Sequence, residues 1–190
     1  MNKTITIQKP TLLLNRARAI NNIKKMAQKA QQSGVRFRPH FKTHQSAQIG
    51  ECFREFGVEA ITVSSVDMGL YFAQHGWRDI TIAFSVNLLE IESINRLAGD
   101  INLNLLVESK KSIRFLAKNL AFKANVWLKV DVGYGRTGIA GTDFERLAAL
   151  ARQIETIPRL FLKGLLTHSG HTYKARSSSE IEAIYRDTVS

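Results

Sequence analysis

Four basic side chains crowd one short stretch, Arg38-Pro39-His40-Phe41-Lys42-Thr43-His44. If the backbone stays extended, Arg38, His40, Lys42 and His44 project to one side by the two-residue period of a strand. Four nitrogen-bearing side chains on one face make a poor core. They suit a phosphate, a carboxylate, or a Schiff base between an aldehyde and Lys42. A solvated basic loop has the same composition.

Two further stretches carry chemistry. In Val130-Asp131-Val132-Gly133-Tyr134-Gly135-Arg136-Thr137-Gly138, the glycines before Arg136 permit unusual dihedrals and a close backbone approach. A guanidinium held there suits an anionic oxygen of a phenolate, phosphate or carboxylate. Asp131 is expected to anchor the loop or pair with a cation. In Thr167-His168-Ser169-Gly170-His171-Thr172-Tyr173, two imidazoles and a phenol offer stacking or proton transfer. His168 and His171 are three apart, but no third ligand has a suitable spacing, so no metal site is expected in this chain.

The elements that must position these residues alternate. Ile20, Ile23, Met26, Ala27 and Ala30 give a helical stripe stopped by Gly34, and Val35–His40 reads as a strand. Ile49, Cys52, Phe53 and Phe56 form the next helix, stopped by Gly57. Strands are then expected at 59–63, 80–84, 101–107, 125–130 and 160–167, with helices between them. Thr142 with Glu145, and Ser179 with Glu182, have capping-box spacing. A leading segment lies around Thr11–Leu14. Strand–helix alternation implies a parallel sheet, here six βα units. One reading is a complete six-stranded open sheet, but such a sheet normally has a phosphate loop after its first strand, and 40–46 contains no glycine. The other is a partial (β/α)8 barrel, whose active site gathers at the C-terminal ends of the strands. All three chemical stretches follow strands in this way.

Composition narrows the classes. The single cysteine, Cys52, excludes an intrachain disulfide and a cysteine-rich metal site. No apolar run reaches membrane-span length and none at the N-terminus resembles a signal peptide, so a cytoplasmic protein is expected, away from membranes. The net charge of +11 is uneven: the first fifty residues hold ten lysines and arginines and no acid. That quarter could bind nucleic acid. Nucleic-acid binding explains none of the three motifs, and no nucleic-acid partner is expected.

PHFKTH at 39–44, VDVGYGRTG at 130–138 and GLLTHSGHTY at 164–173, in that order and each after an expected strand, resemble the fold-type III pyridoxal 5'-phosphate (PLP) enzymes. The barrel of these enzymes is named after alanine racemase. The resemblance runs from Thr11 to about Tyr185 and is greatest to the D-threonine aldolase and D-serine dehydratase branch. It implies that residues 1–190 are an incomplete PLP-binding (β/α)8 domain, with about six of eight units present and no C-terminal β-domain. It implies PLP carried on Lys42, which is also the base at the substrate α-carbon. Arg136 would hold the cofactor phenolate, and the His168 ring would pack on the pyridine face. His40 and His44 would line the pocket, and His171 and Tyr173 would lie at its edge.

The implied reaction is that of a lyase on a small D-β-hydroxy amino acid. A zinc- or manganese-type metal and a homodimer are expected only of the full-length enzyme, and the 190-residue chain by itself is expected to be inactive. Two alternatives share the fold. An amino-acid racemase needs a base on each cofactor face, and the residue four after the lysine is Ser46, where alanine racemase has a tyrosine. A non-catalytic PLP-homeostasis protein has a lysine motif different from PHFKTH.

Overall fold

The computed structural model describes residues 6–189. They form two compact units. One holds the chain up to Phe37 with Gln48–Val58, and the other holds Arg38–Ala47 with the chain from Glu59 onward.

In the first unit, the Asn15 side chain accepts the Arg18 N–H at 3.0 Å and starts α1 (Arg16–Gln32). Gly34 ends it at φ +64°, and Gly57, at φ +74°, follows α2 (Ala47–Arg54). Both stops stand where the sequence places them, because a left-handed residue after a helix favours glycine. Of the stripe on α1 only Ile23 is buried, and Met26 is half exposed. Thr11–Leu14 has no regular structure.

The second unit is a parallel sheet with helices. β1 (Ala60–Val63) leads to α3 (Val66–Gln74), β2 (Asp79–Ser85) to α4 (Ile91–Asp100), and β3 (Asn102–Val107) to α5 (Lys110–Asn119). β4 (Ala124–Asp131) is followed by a two-residue strand, β5 (Ile139–Ala140), and by α6 (Phe144–Glu155); β6 (Leu160–Thr167) precedes α7 (Ser178–Val189). The order is β1-β2-β3-β4, with β5 and β6 both paired to β4. On the helix side the sheet buries Ile82, Leu105, Val126 and Leu128 beside Phe72, Leu97, Ile113 and Leu116 of the helices. Gly69 makes this packing close: a Cβ there would lie 3.0 Å from Leu97 Cδ1 and 3.2 Å from Ile82 Cδ1.

The other face of the sheet is polar at its base. Arg38 donates to Asp79 Oδ1 at 2.8 Å, and the same oxygen accepts from Asn104 Nδ2 at 2.8 Å. Trp127 Nε1 donates to Asn104 Oδ1 at 3.2 Å. Partly buried charges persist only when paired in this way. Arg38 is thus built into the floor of the sheet, away from the four-cation face its spacing suggested.

Three expectations need correction. The strand at Val35–His40 shrinks to a single bridge, His40 opposite Thr62, supported by the Thr62 N–H donating to the Pro39 carbonyl. Proline has no N–H to return, so the ladder cannot continue there. The cap of α6 is Asp143, whose carboxylate accepts the Arg146 N–H, instead of Thr142. The last helix is capped by Ser177, which accepts the Glu180 N–H, while Glu180 accepts from the Arg176 N–H. The reciprocal box therefore sits two residues before the predicted one.

Candidate active site

The extended chain stops at His40. Phe41–Thr43 turns as a short 3-10 helix, so the alternation that would align His40, Lys42 and His44 is broken. The turn is pinned by Phe41, fully buried with its ring 5.1 Å from those of both Phe72 and Trp77. Gln45, at φ +46°, closes it in a left-handed conformation unusual for a non-glycine residue. Lys42 is thereby lifted into solvent. His44 turns inward: its ring lies 4.5 Å from Phe41, and its Nδ1 accepts the Ser46 N–H. It supports the turn from behind.

His40 stays with Lys42. Its Nδ1 accepts the Lys42 N–H at 3.2 Å, which leaves the ring proton on Nε2. Burial first, then the charges of Lys42 and His168, push its pKa from 6.5 down to about 4. Between those values the unfolded chain takes up a proton that the folded chain refuses, so stability falls as pH drops through this window. His44 and His168, also lowered, act in the same direction. Urea unfolding at pH 7 and pH 4.5 checks this. His40→Asn is expected to lose less stability on acidification than the wild type, and an equal loss would show that His40 is not held neutral.

Past β4 the chain forms a loop around the Asp131 carboxylate, which accepts the N–H groups of Gly133 and Gly135 at 3.0–3.1 Å. Asp131 is therefore the loop anchor. Arg136 projects from this loop with its Cζ 5.3 Å from the Tyr134 ring centroid and 5.5 Å from that of Phe84. Among the described residues it has no ion pair or hydrogen bond. Two aromatic faces hold it, and its N–H donors remain available for an anion. Phe84 lies in the stretch of β2 where the β2–β3 register shifts, between Thr81 and Ser85.

At the end of β6, the His168 ring meets Tyr134 edge-on at 5.6 Å and Tyr173 at 5.7 Å. Burial, followed by the charges of Arg136, Lys129, Lys42 and His171, keeps its pKa below the ordinary value. Tyr173 is largely exposed, and His171 Nδ1 is buried without a hydrogen-bond partner among the described residues. Lys42, His40, Arg136 and His168 thus converge at the C-terminal ends of the strands. Tyr173 sits beside them and His44 does not.

Sequence reasoning missed Phe84 and Lys129. Lys129 is 3% exposed, and burial, then Arg136, lower its pKa while Asp131 and Glu108 raise it. A lysine two residues before Asp131 in a largely apolar strand was a readable signal, since alternation puts both on one face. Nothing local marks Phe84.

The model of the family "Alanine racemase, N-terminal domain" matches residues 14–188. D-threo-3-hydroxyaspartate dehydratase of Delftia sp. is 28% identical over 95% of this chain and 48% of its own length; its structure superposes with a TM-score of 0.85, covering 90% and 46% of the two chains. D-serine dehydratase of Dictyostelium discoideum is 29% identical over 85% of this chain and 45% of its own. The structure of D-threonine aldolase from Filomicrobium marinum has the same fold, with a TM-score of 0.89 at 22% identity over 95% and 50% of the chains. The chain spans about half the length of the curated relatives it matches. It belongs to the alanine racemase N-terminal domain family of fold-type III PLP-dependent enzymes, and its sheet is part of a (β/α)8-type fold.

Proposed function

We propose that, within this family, the protein is the PLP-carrying part of a lyase acting on a small D-β-hydroxy amino acid, with residues 1–190 as one incomplete barrel domain. The observation that carries the reading is the set of basic groups at the strand ends. An exposed lysine and an arginine with no ion pair among the described residues face two histidines kept neutral.

That donor set fits PLP. Lys42 supplies the amine for its aldehyde and Arg136 the donors for its phenolate. The His168 ring offers an aromatic face, and the His40 Nε2–H is a donor beside the lysine. When bound, PLP draws electrons from the substrate α-carbon, and the protein decides which bond breaks. With PLP held there, the amine of Lys42 would take the substrate α-proton, and the unprotonated ring nitrogen of the neutral His168 would be a second proton acceptor. The two dehydratases named above act, by their names, on D-amino acids bearing a β-hydroxyl, which favours a lyase over a racemase. The metal implied for full-length relatives finds no group of three or more ligands among the described residues, and no step is assigned to it. Likewise no helix among them is long and apolar enough to cross a membrane. A cytoplasmic location and a homodimeric full-length form belong to the same proposal.

The test uses stereochemistry. D-serine and D-threonine should perturb the visible absorbance of the PLP-loaded chain at concentrations where their L-enantiomers do not. An equal response to both enantiomers, or none to either, would refute the D-amino acid reading.

A further inference from the structure

Tyr134 lies between two glycines in left-handed conformation, Gly133 at φ +104° and Gly135 at φ +73°. The N–H of each is tied to the Asp131 carboxylate. The backbone on either side of the tyrosine is therefore fixed, and its ring leaves the loop in a set direction. That ring touches both halves of the candidate site. The Arg136 guanidinium lies 5.3 Å from its centroid, and the His168 ring meets it at 5.6 Å with an interplanar angle of 85°. A negative ring face toward a cation and an edge-to-face imidazole contact are both favourable geometries.

The slot for the ring is completed by Gly170. A Cβ at that position would lie 2.7 Å from Tyr134 Cε1, 2.8 Å from its Cζ and 2.9 Å from His168 Nε2. Any side chain there would drive the tyrosine and the histidine away from their present positions. Gly170 is buried and needs no left-handed dihedral, so close packing is what requires glycine here.

We propose that Tyr134 is a positioning residue whose ring, seated over Gly170, sets the orientation of both Arg136 and His168 toward the cofactor. This rests on the reading that those two residues face PLP. A ring that merely filled space would not lie against two polar groups at once, with its neighbours' amides spent on holding the loop.

The test follows PLP binding to the full 190-residue chain by visible absorbance, and the titration of His168 by NMR in the cofactor-free chain. Tyr134→Phe keeps the ring and should bind PLP within about twofold of wild type, whereas Tyr134→Leu should weaken binding about tenfold. In an Arg136→Ala background the Tyr134→Leu effect should shrink, because one of the two residues through which it acts is gone. The His168 midpoint, held down by burial and by Arg136, Lys129, Lys42 and His171, should rise in Tyr134→Leu and stay in place in Tyr134→Phe. Gly170→Ala should reproduce the Tyr134→Leu results with the tyrosine intact. Wild-type behaviour of Tyr134→Leu in both measurements, or an equal affinity loss with and without Arg136, would overturn the proposal. A wild-type chain that binds no PLP would refute the functional reading, while the His168 titration would still decide the role of Tyr134.

Discussion

Lys42→Ala is expected to abolish borohydride-trapped incorporation of PLP, with label in the wild type recovered mainly on the peptide spanning Phe41–His44. The reason is geometric. The 3-10 turn buries Phe41 completely and places Lys42 in solvent beside the neutral His40. Arg136 and His168 lie within electrostatic reach of one another, and Lys42 within reach of both histidines. Two kinds of competitor exist. Lys24, Lys25 and Lys29 are exposed on α1, but nothing in their motif binds an anion, so they should label slowly and without preference. Lys129 is the sharper rival, because burial lowers its pKa and favours the reactive neutral amine. Yet it is almost wholly enclosed, whereas Lys42 opens to solvent. Label on the Lys129 peptide, or a stoichiometric adduct persisting in Lys42→Ala, would move the cofactor to another lysine and end the present assignment.

The contrast between Lys42 and Arg38 shows which features a sequence displays. Lys42, Arg136 and His168 stand in short motifs, and each expected strand other than Val35–His40 formed close to where its apolar residues predict it, β6 at the expected 160–167. Gly34 and Gly57 end helices because a left-handed backbone is a local requirement. Arg38 depended on Asp79, forty-one residues away, and on the Asn104 and Trp127 network beyond it. No spacing within 38–44 reveals that partner. The break at Phe41 was hidden in the same way, since a buried aromatic in a basic motif reads as one more member of an alternating strand until Phe72 and Trp77 are seen to hold it. Phe84 meets Arg136 from the stretch where the β2–β3 register shifts, and no pattern in β2 marks that shift.

Gly138→Ala should be the most damaging small substitution in the Arg136 loop. At φ +117° an L-residue is strained, which costs of order 1–3 kcal/mol. A Cβ there would also lie 2.7 Å from the Asp131 amide nitrogen, 2.8 Å from the Val130 carbonyl carbon and 3.1 Å from the Lys129 carbonyl oxygen. All three are backbone atoms of β4, so no side chain can swing aside. The strain and the clash together put the expected loss at about 3 kcal/mol or more. Gly135→Ala is the control: φ is +73° and nothing lies within 4 Å of its Cβ, so only the conformational penalty applies, about 1 kcal/mol. Urea unfolding of the two variants separates these costs, and similar losses would mean that the loop moves away from β4 without resistance. If it cannot, relief comes only by opening the pairing of Val130 with Ile139 and Asp131 with Ala140. That movement would carry Arg136 off the rings of Phe84 and Tyr134. Gly138→Ala should then lose PLP affinity together with stability, whereas Gly135→Ala should keep most of both.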